Sequence, residues 1–330
     1  MDDGDVAGVS DMVICTMEKP GSDLGWINHL RVLRKLGEGA NAEVYLAHHE
    51  ILDLHLAVRL IRQDVLAKSG ERARLRVLQE ARVASRIAHP NVLRLFESGT
   101  IDGHHIYLAY EFIDGGSLES ALAKLPTRRL PAPLALQIIW ETAQGLDAID
   151  RIGAIHRDIK PDNILLSRRG EVKIADLGLA KTRSGDADTI PLNVTGERHL
   201  VGTPYYMSPE QAQYQENLDI RADLYALGVL MFELLAGRTP FRGQTLFELL
   251  LAHIQEPPPD LRRLVPDIPG ELVEICNTLL AKDPAERYPS PAELLSVLKW
   301  VRVSVGQPNE HETAIAWFHL DTADSADAAT

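Results

Sequence analysis

The chain has 330 residues, of which 45% are hydrophobic and 25% charged, so it can bury a substantial core and is not a disordered polymer. Its two cysteines, Cys15 and Cys276, exclude a disulfide-rich scaffold and suit a reducing compartment. The net charge is −13, and residues 1–29 and 303–330 are rich in acids and poor in bases. Such ends predict solvated tails and argue against nucleic acid as a main partner, because phosphate contacts need clustered Lys and Arg.

No window approaches the roughly 20 apolar residues that a membrane-spanning helix needs. The first residues are acidic, with no basic region ahead of an apolar one, so they do not resemble a signal peptide. We therefore expect a cytoplasmic protein without a membrane span. The sequence indicates no particular oligomeric state.

Short segments bounded by Gly, Asp or Pro predict strands in the first third of the chain, interrupted by one helix over 71–88. The strands are predicted over 32–36, 42–47, 55–61, 92–99 and 105–112. Beyond Pro133 helices dominate, over 134–150, 222–236, 245–255 and 270–281, with a β-hairpin between 163 and 175. The pattern predicts an α+β fold in which a small sheet-rich part precedes a larger helical part.

The helix over 71–88 carries a carboxylate on its apolar stripe. Glu80 shares that stripe with Val77, Ala84 and Ile87 by helical spacing. An unpaired buried charge is costly, so a basic partner from the neighbouring sheet is expected. Arg59 is the predicted partner.

The hairpin between 163 and 175 predicts a metal site. Pairing its strands across the Ser-Arg-Arg-Gly-Glu turn places Asn163 opposite Asp176, and Asp158 stands on the entering loop. Two acids and an amide at one end of a hairpin form an oxygen-rich site suited to Mg²⁺.

A glycine pair lies in the segment 36–44, where a strand rather than a helix follows it. Gly37 and Gly39 would let the backbone approach a ligand, as in a hairpin flap lying over phosphates. An ordinary turn is the alternative for this segment taken alone.

These features occur together with HPNVLRL, HRDIKPDNILL, VKIADLGLA, VGTPYYMSPEQ, ADLYALGVLMFELLAG and DPAERY. In this order they resemble the protein kinase superfamily, specifically the eukaryotic-like serine/threonine kinases that are common in bacteria. The resemblance implies a bilobal kinase-like fold over 30–302, with a sheet-rich N-lobe to about 113, a helical C-lobe from about 114, and acidic tails at 1–29 and 303–330. It implies ATP and Mg²⁺ (or Mn²⁺) as cofactors, and proteins with Ser or Thr acceptors as substrates.

The resemblance also implies individual roles. Asp158 would accept the proton of the substrate hydroxyl, and Lys160 would stabilise the transferring phosphoryl group and mark Ser/Thr specificity. Asn163 and Asp176 would hold the metal ion. The residues that would bind the nucleotide are Gly37, Gly39, Val44, Ala57, Arg59, Glu80, Glu111 and Ile113.

Arg59 is a departure from the family pattern, which has a lysine at this position on the third strand. The exchange is not conservative, because Arg is longer and planar and cannot make the compact ammonium contact. Losing one preorganised donor typically costs about 10² to 10³ in rate, so a slow enzyme is one interpretation. The alternative is a weak or dead pseudokinase that acts as a nucleotide-binding switch or scaffold.

Further expectations concern residues outside the chemistry. By resemblance, Glu210 and Arg287 would form a buried ion pair, and Asp223 would anchor the catalytic loop. Thr195, in a long polar segment, is predicted to be phosphorylated, with Arg157 as the cation that its phosphate would meet. Four histidines without metal-site spacing are predicted to be surface turn residues: His48, His49, His104 and His105.

Overall fold

The computed structural model describes residues 25–39, 42–62, 74–75, 77–101, 105–177, 181–182 and 203–306. The chain divides into two compact units. The sheet unit comprises the chain up to Leu75 together with Leu95–Phe112, and the helical unit comprises Arg76–Arg94 together with the chain from Ile113 onward.

An antiparallel sheet forms the first unit. Its strands run in the spatial order β1-β2-β3-β4-β6-β5, with each neighbouring pair antiparallel. The strands are β1 (Trp26–Ile27), β2 (Leu30–Glu38), β3 (Ala42–His49), β4 (Leu54–Ile61), β5 (Leu95–Ile101) and β6 (His105–Glu111). The strand content predicted from the sequence is confirmed, with β1 as an addition.

One face of this sheet is closed over an apolar core. Alternate residues of each strand point to the same face, and the inward set is buried. The sheet curls, so the turn between β1 and β2 lies close to the strands at the other edge. There Asn28 Nδ2 donates to Tyr107 Oη at 3.1 Å. The core residues are Ile27, Leu30, Val32, Ala47, Leu56, Val58, Tyr107 and Ala109.

The strand predicted over 92–99 begins later than expected, at Leu95. The residues before it use their backbone groups elsewhere: the Leu93 amide donates to Ile174 O at 2.8 Å, and the Ile174 amide donates to Asn91 O at 2.9 Å. These bonds lie within the helical unit, so the segment 91–93 belongs to that unit and not to the sheet.

Helices make up most of the second unit. Helix α1 is described over 74–75 and 77–84 and ends before the predicted 88. The predicted stripe is buried: Val77, Glu80 and Ala84 lie on the helix, and Ile87 follows its end. The other α-helices are α2 (Leu118–Ala123), α3 (Ala132–Arg151), α4 (Pro209–Ala212), α5 (Arg221–Ala236), α6 (Leu246–Gln255), α7 (Leu261–Leu264), α8 (Gly270–Leu279) and α9 (Pro291–Val305). Short strands β7 (Ala154–Ile155), β8 (Ile164–Leu166), β9 (Val172–Ile174) and β10 (Lys181–Thr182) complete it.

Helix α5 lies at the centre of the helical unit. It is apolar on all sides, and nearly all its residues are buried. Gly228 permits close packing, because a Cβ atom there would lie 2.6 Å from the Leu279 Cβ on α8. The helix ends at Gly237, whose φ of 75° is the left-handed conformation that glycine adopts readily.

The β8–β9 hairpin has a register one residue away from the predicted one. Ile164 pairs with Ile174 and Leu166 with Val172, so Ala175, and not Asp176, is opposite Asn163. The reason is the turn: the Gly170 amide donates to Ser167 O, and Gly170 has a φ of 87°. This is a three-residue loop with a left-handed glycine, and it shifts the pairing by one position.

Helix α9 was not predicted, and it runs to Val305, past the predicted domain end at 302. Cys276, on α8, is buried. Within the described part of the chain, no helix combines the length and apolar character needed to span a bilayer. The predicted tails, 1–29 and 303–330, are described only at 25–29 and 303–306, and there they contain β1 and the end of α9. Residues outside the description also include Cys15, His104 and Thr195.

Candidate active site

The loop that follows β7 carries the predicted catalytic residues. Asp223, at the start of α5, anchors this loop. The backbone amides of His156 and Arg157 each donate to the Asp223 carboxylate at 2.7 Å. Asp223 is buried, and this burial raises the pKa of its carboxyl group, while the two amide donors and nearby positive charge oppose that rise. The predicted role of Asp223 as the anchor of this loop is confirmed.

The side chain of His156 holds the same loop from within. Its Nδ1 accepts a hydrogen bond from the Asp158 amide at 3.2 Å. Nε2 therefore carries the ring proton and donates to Ala175 O at 2.9 Å. Since Ala175 precedes Asp176, one fully buried ring joins the loop to the segment that bears the second predicted acid.

The Asp158 carboxylate is oriented by two donors. Lys160 Nζ lies 2.7 Å from Asp158 Oδ2, and Asn163 Nδ2 donates to the same oxygen at 2.9 Å. Asn163 Nδ2 also donates to the Asp158 backbone oxygen at 2.7 Å. Among the described residues no hydrogen bond falls on Asp158 Oδ1, so this oxygen can accept a proton from a hydroxyl group.

Asn163 and Asp176 have the chemistry of a cation site. Among the described residues both hydrogen bonds of the Asn163 amide use its nitrogen, so its side-chain oxygen is available as a ligand for a metal ion. The Ala175 amide donates to Asn163 O at 2.8 Å, and Asp176 follows with a φ of 59°, in the left-handed region that Asp tolerates better than most residues. An amide oxygen and a carboxylate are hard ligands that suit Mg²⁺.

Arg157 has an unusual backbone and a half-buried side chain. Its φ is 71°, and its carbonyl accepts a hydrogen bond from Gln211 Nε2 at 3.1 Å, which ties the loop to α4. Burial lowers the pKa of its guanidinium group, and the charge of Asp223 opposes this. Within the described residues its Nε has no hydrogen-bond partner. The predicted phosphorylation site, Thr195, is not among those residues, so its relation to Arg157 stays a prediction.

The predicted ion pair between Glu210 and Arg287 is confirmed. Arg287 donates through both terminal nitrogens to the Glu210 carboxylate, at 2.7 and 2.9 Å. Both side chains are almost fully buried, and Arg287 also donates to the backbone oxygens of Arg221, Ala281 and Lys282. The pair therefore connects α4, α5 and the segment after α8.

In the sheet unit, the register brings three predicted nucleotide-binding residues to one face. Val44 on β3 pairs directly with Arg59 on β4, and Ala57 lies two residues before Arg59. Directly paired residues and residues two apart share a face, so Val44, Ala57 and Arg59 project to the same side. Ala57 in turn pairs with Tyr110 on β6, next to Glu111.

The glycine-rich hairpin between β2 and β3 does not need its glycines for its own fold. Neither Gly37 nor Gly39 has a positive φ, and a Cβ atom at Gly37 would meet nothing within 4 Å. The Gly39 amide closes the turn by donating to Ala42 O at 2.8 Å. The free space at Gly37 is compatible with both interpretations, the flap and the ordinary turn.

The outer side of this hairpin carries exposed ion pairs. Lys35 contacts Glu38 at 2.7 Å and Glu43 at 2.6 Å, and Arg62 contacts Glu38 at 2.9 Å. The hydrogen bond from Glu38, followed by that from Glu43, raises the pKa of Lys35. These ion pairs connect β2 to β3 and to Arg62, which directly follows β4.

Two predicted site residues belong to the helical unit by chain position. Glu80 is 3% exposed on α1, as its apolar stripe predicts, and Ile113 follows the last strand of the sheet. The pairing of Arg59 with Glu80 stays a prediction.

One cluster was missed by sequence reasoning. His49 was predicted to be a surface residue, but it is 9% exposed at the end of β3, beside His29 and Glu97. The three residues are far apart in sequence, so spacing gives no signal, and only the curl of the sheet brings them together.

The class of protein follows from comparison with known families. Residues 30–300 match the protein kinase domain. The chain therefore belongs to the protein kinase family, and the fold predicted from its motifs, with a sheet-rich and a helical lobe, is confirmed.

Similar proteins in bacteria carry serine/threonine kinase names. Serine/threonine-protein kinase drp72 of Corynebacterium efficiens is 35% identical over 300 residues, covering 90% of this chain and 54% of that protein. Pkn2 of Myxococcus xanthus is 37% identical over 273 residues, covering 81% and 32%, and PrkC of Bacillus subtilis is 33% identical over 269 residues, covering 82% and 40%. The chain thus spans about half or less of the length of these relatives.

Proposed function

We propose that this chain transfers the γ-phosphate of ATP to Ser or Thr hydroxyl groups of proteins, including its own. The observation that carries the proposal is the arrangement of Asp158, with Lys160 and Asn163 on one carboxylate oxygen and the other oxygen available. Protein kinases as a family use ATP and a divalent metal ion, and the relatives named above are Ser/Thr kinases. Phosphoryl transfer needs little covalent chemistry from the protein, so positioning and charge are its main contributions.

Asp158 is the proposed base. The substrate hydroxyl would donate its hydrogen bond to Asp158 Oδ1 while its oxygen attacks the γ-phosphorus, and the proton passes to the carboxylate as the bond to ADP breaks. Because Oδ2 is already engaged, the side chain cannot turn without losing both bonds. The geometry thus orients the acceptor before transfer.

Lys160 and the oxygen ligands have complementary roles. Lys160 lies beside Asp158 and would donate to the transferring phosphoryl group, where its charge offsets that of the equatorial oxygens. Asn163 and Asp176 would hold Mg²⁺, which neutralises phosphate charge when bound.

The nucleotide would be held by the remaining predicted residues. Val44 and Ala57 offer apolar surface for adenine, the backbone between Glu111 and Ile113 offers hydrogen bonds to it, and the hairpin with Gly37 and Gly39 would cover the phosphates. Arg59 would contact the phosphates and pair with Glu80. The common face of Val44, Ala57 and Arg59 supports these roles, and the open space at Gly37 is compatible with them.

The test is incorporation of labelled phosphate from Mg²⁺-ATP by the purified chain and by a general protein substrate. Asp158→Asn should reduce the rate by at least about 10²-fold, because it removes the base while keeping the shape of the side chain. Asp162→Asn is the matched control: it makes the same change in the same loop at an exposed position, and it should retain wild-type activity.

The opposite result would overturn the proposal. Equal incorporation by wild type and Asp158→Asn under saturating Mg²⁺-ATP would show that the signal is not catalysis by this site. Nucleotide binding without transfer in the wild type would then favour the pseudokinase alternative.

A further inference from the structure

Three polar side chains converge at one end of the sheet unit. His49 lies on β3, two residues after the buried Ala47, so by the period of two its imidazole points inward. His29 lies in the turn between β1 and β2 and is partly exposed. Glu97, on the edge strand β5, approaches them from the other side of the curled sheet.

The three side chains are close enough together to ligate one transition-metal ion. His29 Nε2 lies 3.2 Å from Glu97 Oε2, and the rings of His29 and His49 meet edge-on with centroids 4.8 Å apart. One ligand atom from each residue lies within 4.8 Å of the others. In a tetrahedral site with bonds of about 2.1 Å, neighbouring ligand atoms are about 3.4 Å apart. His29 and Glu97 already have this separation, and His49 needs only a small movement.

We propose that His29, His49 and Glu97 form a binding site for a divalent transition-metal ion such as Zn²⁺. Two imidazoles and one carboxylate are a common zinc ligand set, and a water molecule would complete the tetrahedron. Nitrogen ligands favour Zn²⁺ over Mg²⁺ and Ca²⁺, which prefer oxygen. The site lies wholly within the sheet unit and is independent of the proposed phosphoryl transfer.

A second set of residues orients the carboxylate. Tyr107 Oη donates to Glu97 Oε1 at 3.2 Å and accepts from Asn28 Nδ2 at 3.1 Å, so Oε2 is the oxygen turned to His29. The Tyr107 ring lies over Gly99, where a Cβ atom would be 2.7 Å from the ring. Only glycine allows this packing. Such outer partners are typical of metal sites, whose ligands are held by further hydrogen bonds.

His49 has one competing interaction. The Leu52 amide donates to His49 Nδ1 at 3.3 Å, which is a long hydrogen bond. A metal ion at Nδ1 would replace this amide, and a metal ion at Nε2 would require the ring proton to move to Nδ1. Either way one weak bond is exchanged for a metal–nitrogen bond.

The consequence of metal binding is a link between distant parts of one sheet. The ligands come from the first turn, the end of β3 and the edge strand β5, so the ion would join segments that in the chain are separated by tens of residues. Because the unfolded chain does not hold the three together, Zn²⁺ would stabilise the folded state.

The test is calorimetric titration of the full chain with Zn²⁺ in the presence of excess Mg²⁺, which occupies oxygen-only sites. Wild type should bind one Zn²⁺. In His29→Gln and in Glu97→Gln the affinity for Zn²⁺ should decrease by about 100-fold or more. Both side chains are partly exposed, at 42% and 28%, so these variants retain the core. His55→Gln, an exposed histidine on β4 of the same sheet, is the matched control and should bind as wild type.

Two further measurements sharpen the result. Co²⁺ bound in place of Zn²⁺ should give the visible absorption of a tetrahedral site in wild type but not in Glu97→Gln. Tyr107→Phe, which removes only the outer hydrogen bond, should weaken Zn²⁺ binding by about 10-fold. The proposal is overturned if wild type binds no stoichiometric Zn²⁺, if His29→Gln and Glu97→Gln bind it unchanged, or if His55→Gln loses it equally.

Discussion

The catalytic loop of the helical unit and the glycine-rich hairpin of the sheet unit are both assigned to phosphate chemistry, yet different interactions hold them. The loop is held by hydrogen bonds to two buried groups, the Asp223 carboxylate and the His156 ring. The hairpin is bridged by exposed ion pairs around Lys35 and Glu38. Buried charge-assisted hydrogen bonds are strong, whereas exposed ion pairs contribute little. The groups proposed to react are thus held by stronger interactions than the hairpin that is proposed to cover the nucleotide.

The largest effect is expected from breaking the anchor of the catalytic loop. Asp223→Asn keeps one oxygen but sets an NH₂ group against a backbone donor, so one of the two amides of His156 and Arg157 loses its acceptor. We expect the free energy of unfolding to fall by about 3 kcal/mol and kcat to fall by about 10²-fold or more. Denaturant unfolding and phosphate incorporation measure the two.

Asp219→Asn is the control for this prediction. Asp219 pairs with Arg221 at 2.7 Å and accepts the Arg221 backbone amide at 2.9 Å near the start of the same helix. Asn keeps an oxygen for that amide, and the ion pair is partly exposed, so the effect of this substitution should be small. Equal effects of the two substitutions would refute the idea that burial makes the difference.

A smaller effect is expected from the one cation that the sheet unit is proposed to supply. Arg59→Met should lower kcat by about 10²-fold, because it would remove the proposed donor to the phosphates, and it should also lower stability, because the buried Glu80 would lose its proposed partner. Arg59→Lys should keep at least wild-type activity, since a compact ammonium suits this contact.

Arg62→Met provides the comparison for Arg59. Arg62 lies further along the chain past the end of β4 and pairs with Glu38 at the surface, so its loss should leave kcat unchanged. Wild-type activity in Arg59→Met would mean that this position does not contribute to the reaction.

The burial of a histidine in the helical unit predicts that the stability of the protein decreases in acid. Burial lowers the pKa of His253 to about 3, with the charge of Lys282 adding to the effect, while its Nδ1 lies 3.0 Å from Tyr225 Oη. The unfolded chain therefore binds a proton that the folded chain does not, so stability present above about pH 6.5 is lost as the pH falls toward 3.

We expect this histidine to remove about 2 kcal/mol of stability between pH 7 and pH 5. In His253→Gln that part of the decrease should be absent. Denaturant unfolding at several pH values measures it, and the interval from pH 7 to pH 8, above the window, serves as the internal control. An identical slope in both proteins below pH 6.5 would contradict the assignment.

The smallest effect is expected at the hairpin. Lys35→Met removes two partly exposed ion pairs, and we expect the melting temperature to change by less than about 2 °C and kcat by less than about twofold. High salt should have the same small effect on wild type. A large loss of stability would mean that these surface pairs form a network stronger than the pairs alone.

Much of the fold could be predicted from the sequence, because period-two and helical patterns coincide with kinase motifs. The buried Glu80, the Glu210–Arg287 pair and the anchor Asp223 were all expected. The hairpin register was wrong, because Gly170 forms a three-residue loop that composition alone does not distinguish from a two-residue one. Single-residue slips of this kind change which side chain faces a partner.

The site itself could be predicted only in part. Motifs name Asp158, Lys160 and Asn163, but the convergence of two donors on one oxygen of Asp158 depends on side-chain rotamers. The cluster of His29 and His49 with Glu97 depends on how far the sheet curls. Curl is a property of the whole sheet, so no local pattern reports it.

The double hydrogen bond to Asp223 has a consequence for hydrogen exchange. The amides of His156 and Arg157 belong to a loop, and loop amides usually exchange with solvent quickly. Here they are held by a carboxylate on the buried helix α5, so their release requires opening of the core. Their protons should therefore persist in deuterated water as long as those of α5, and the loop should report the global unfolding of the helical unit.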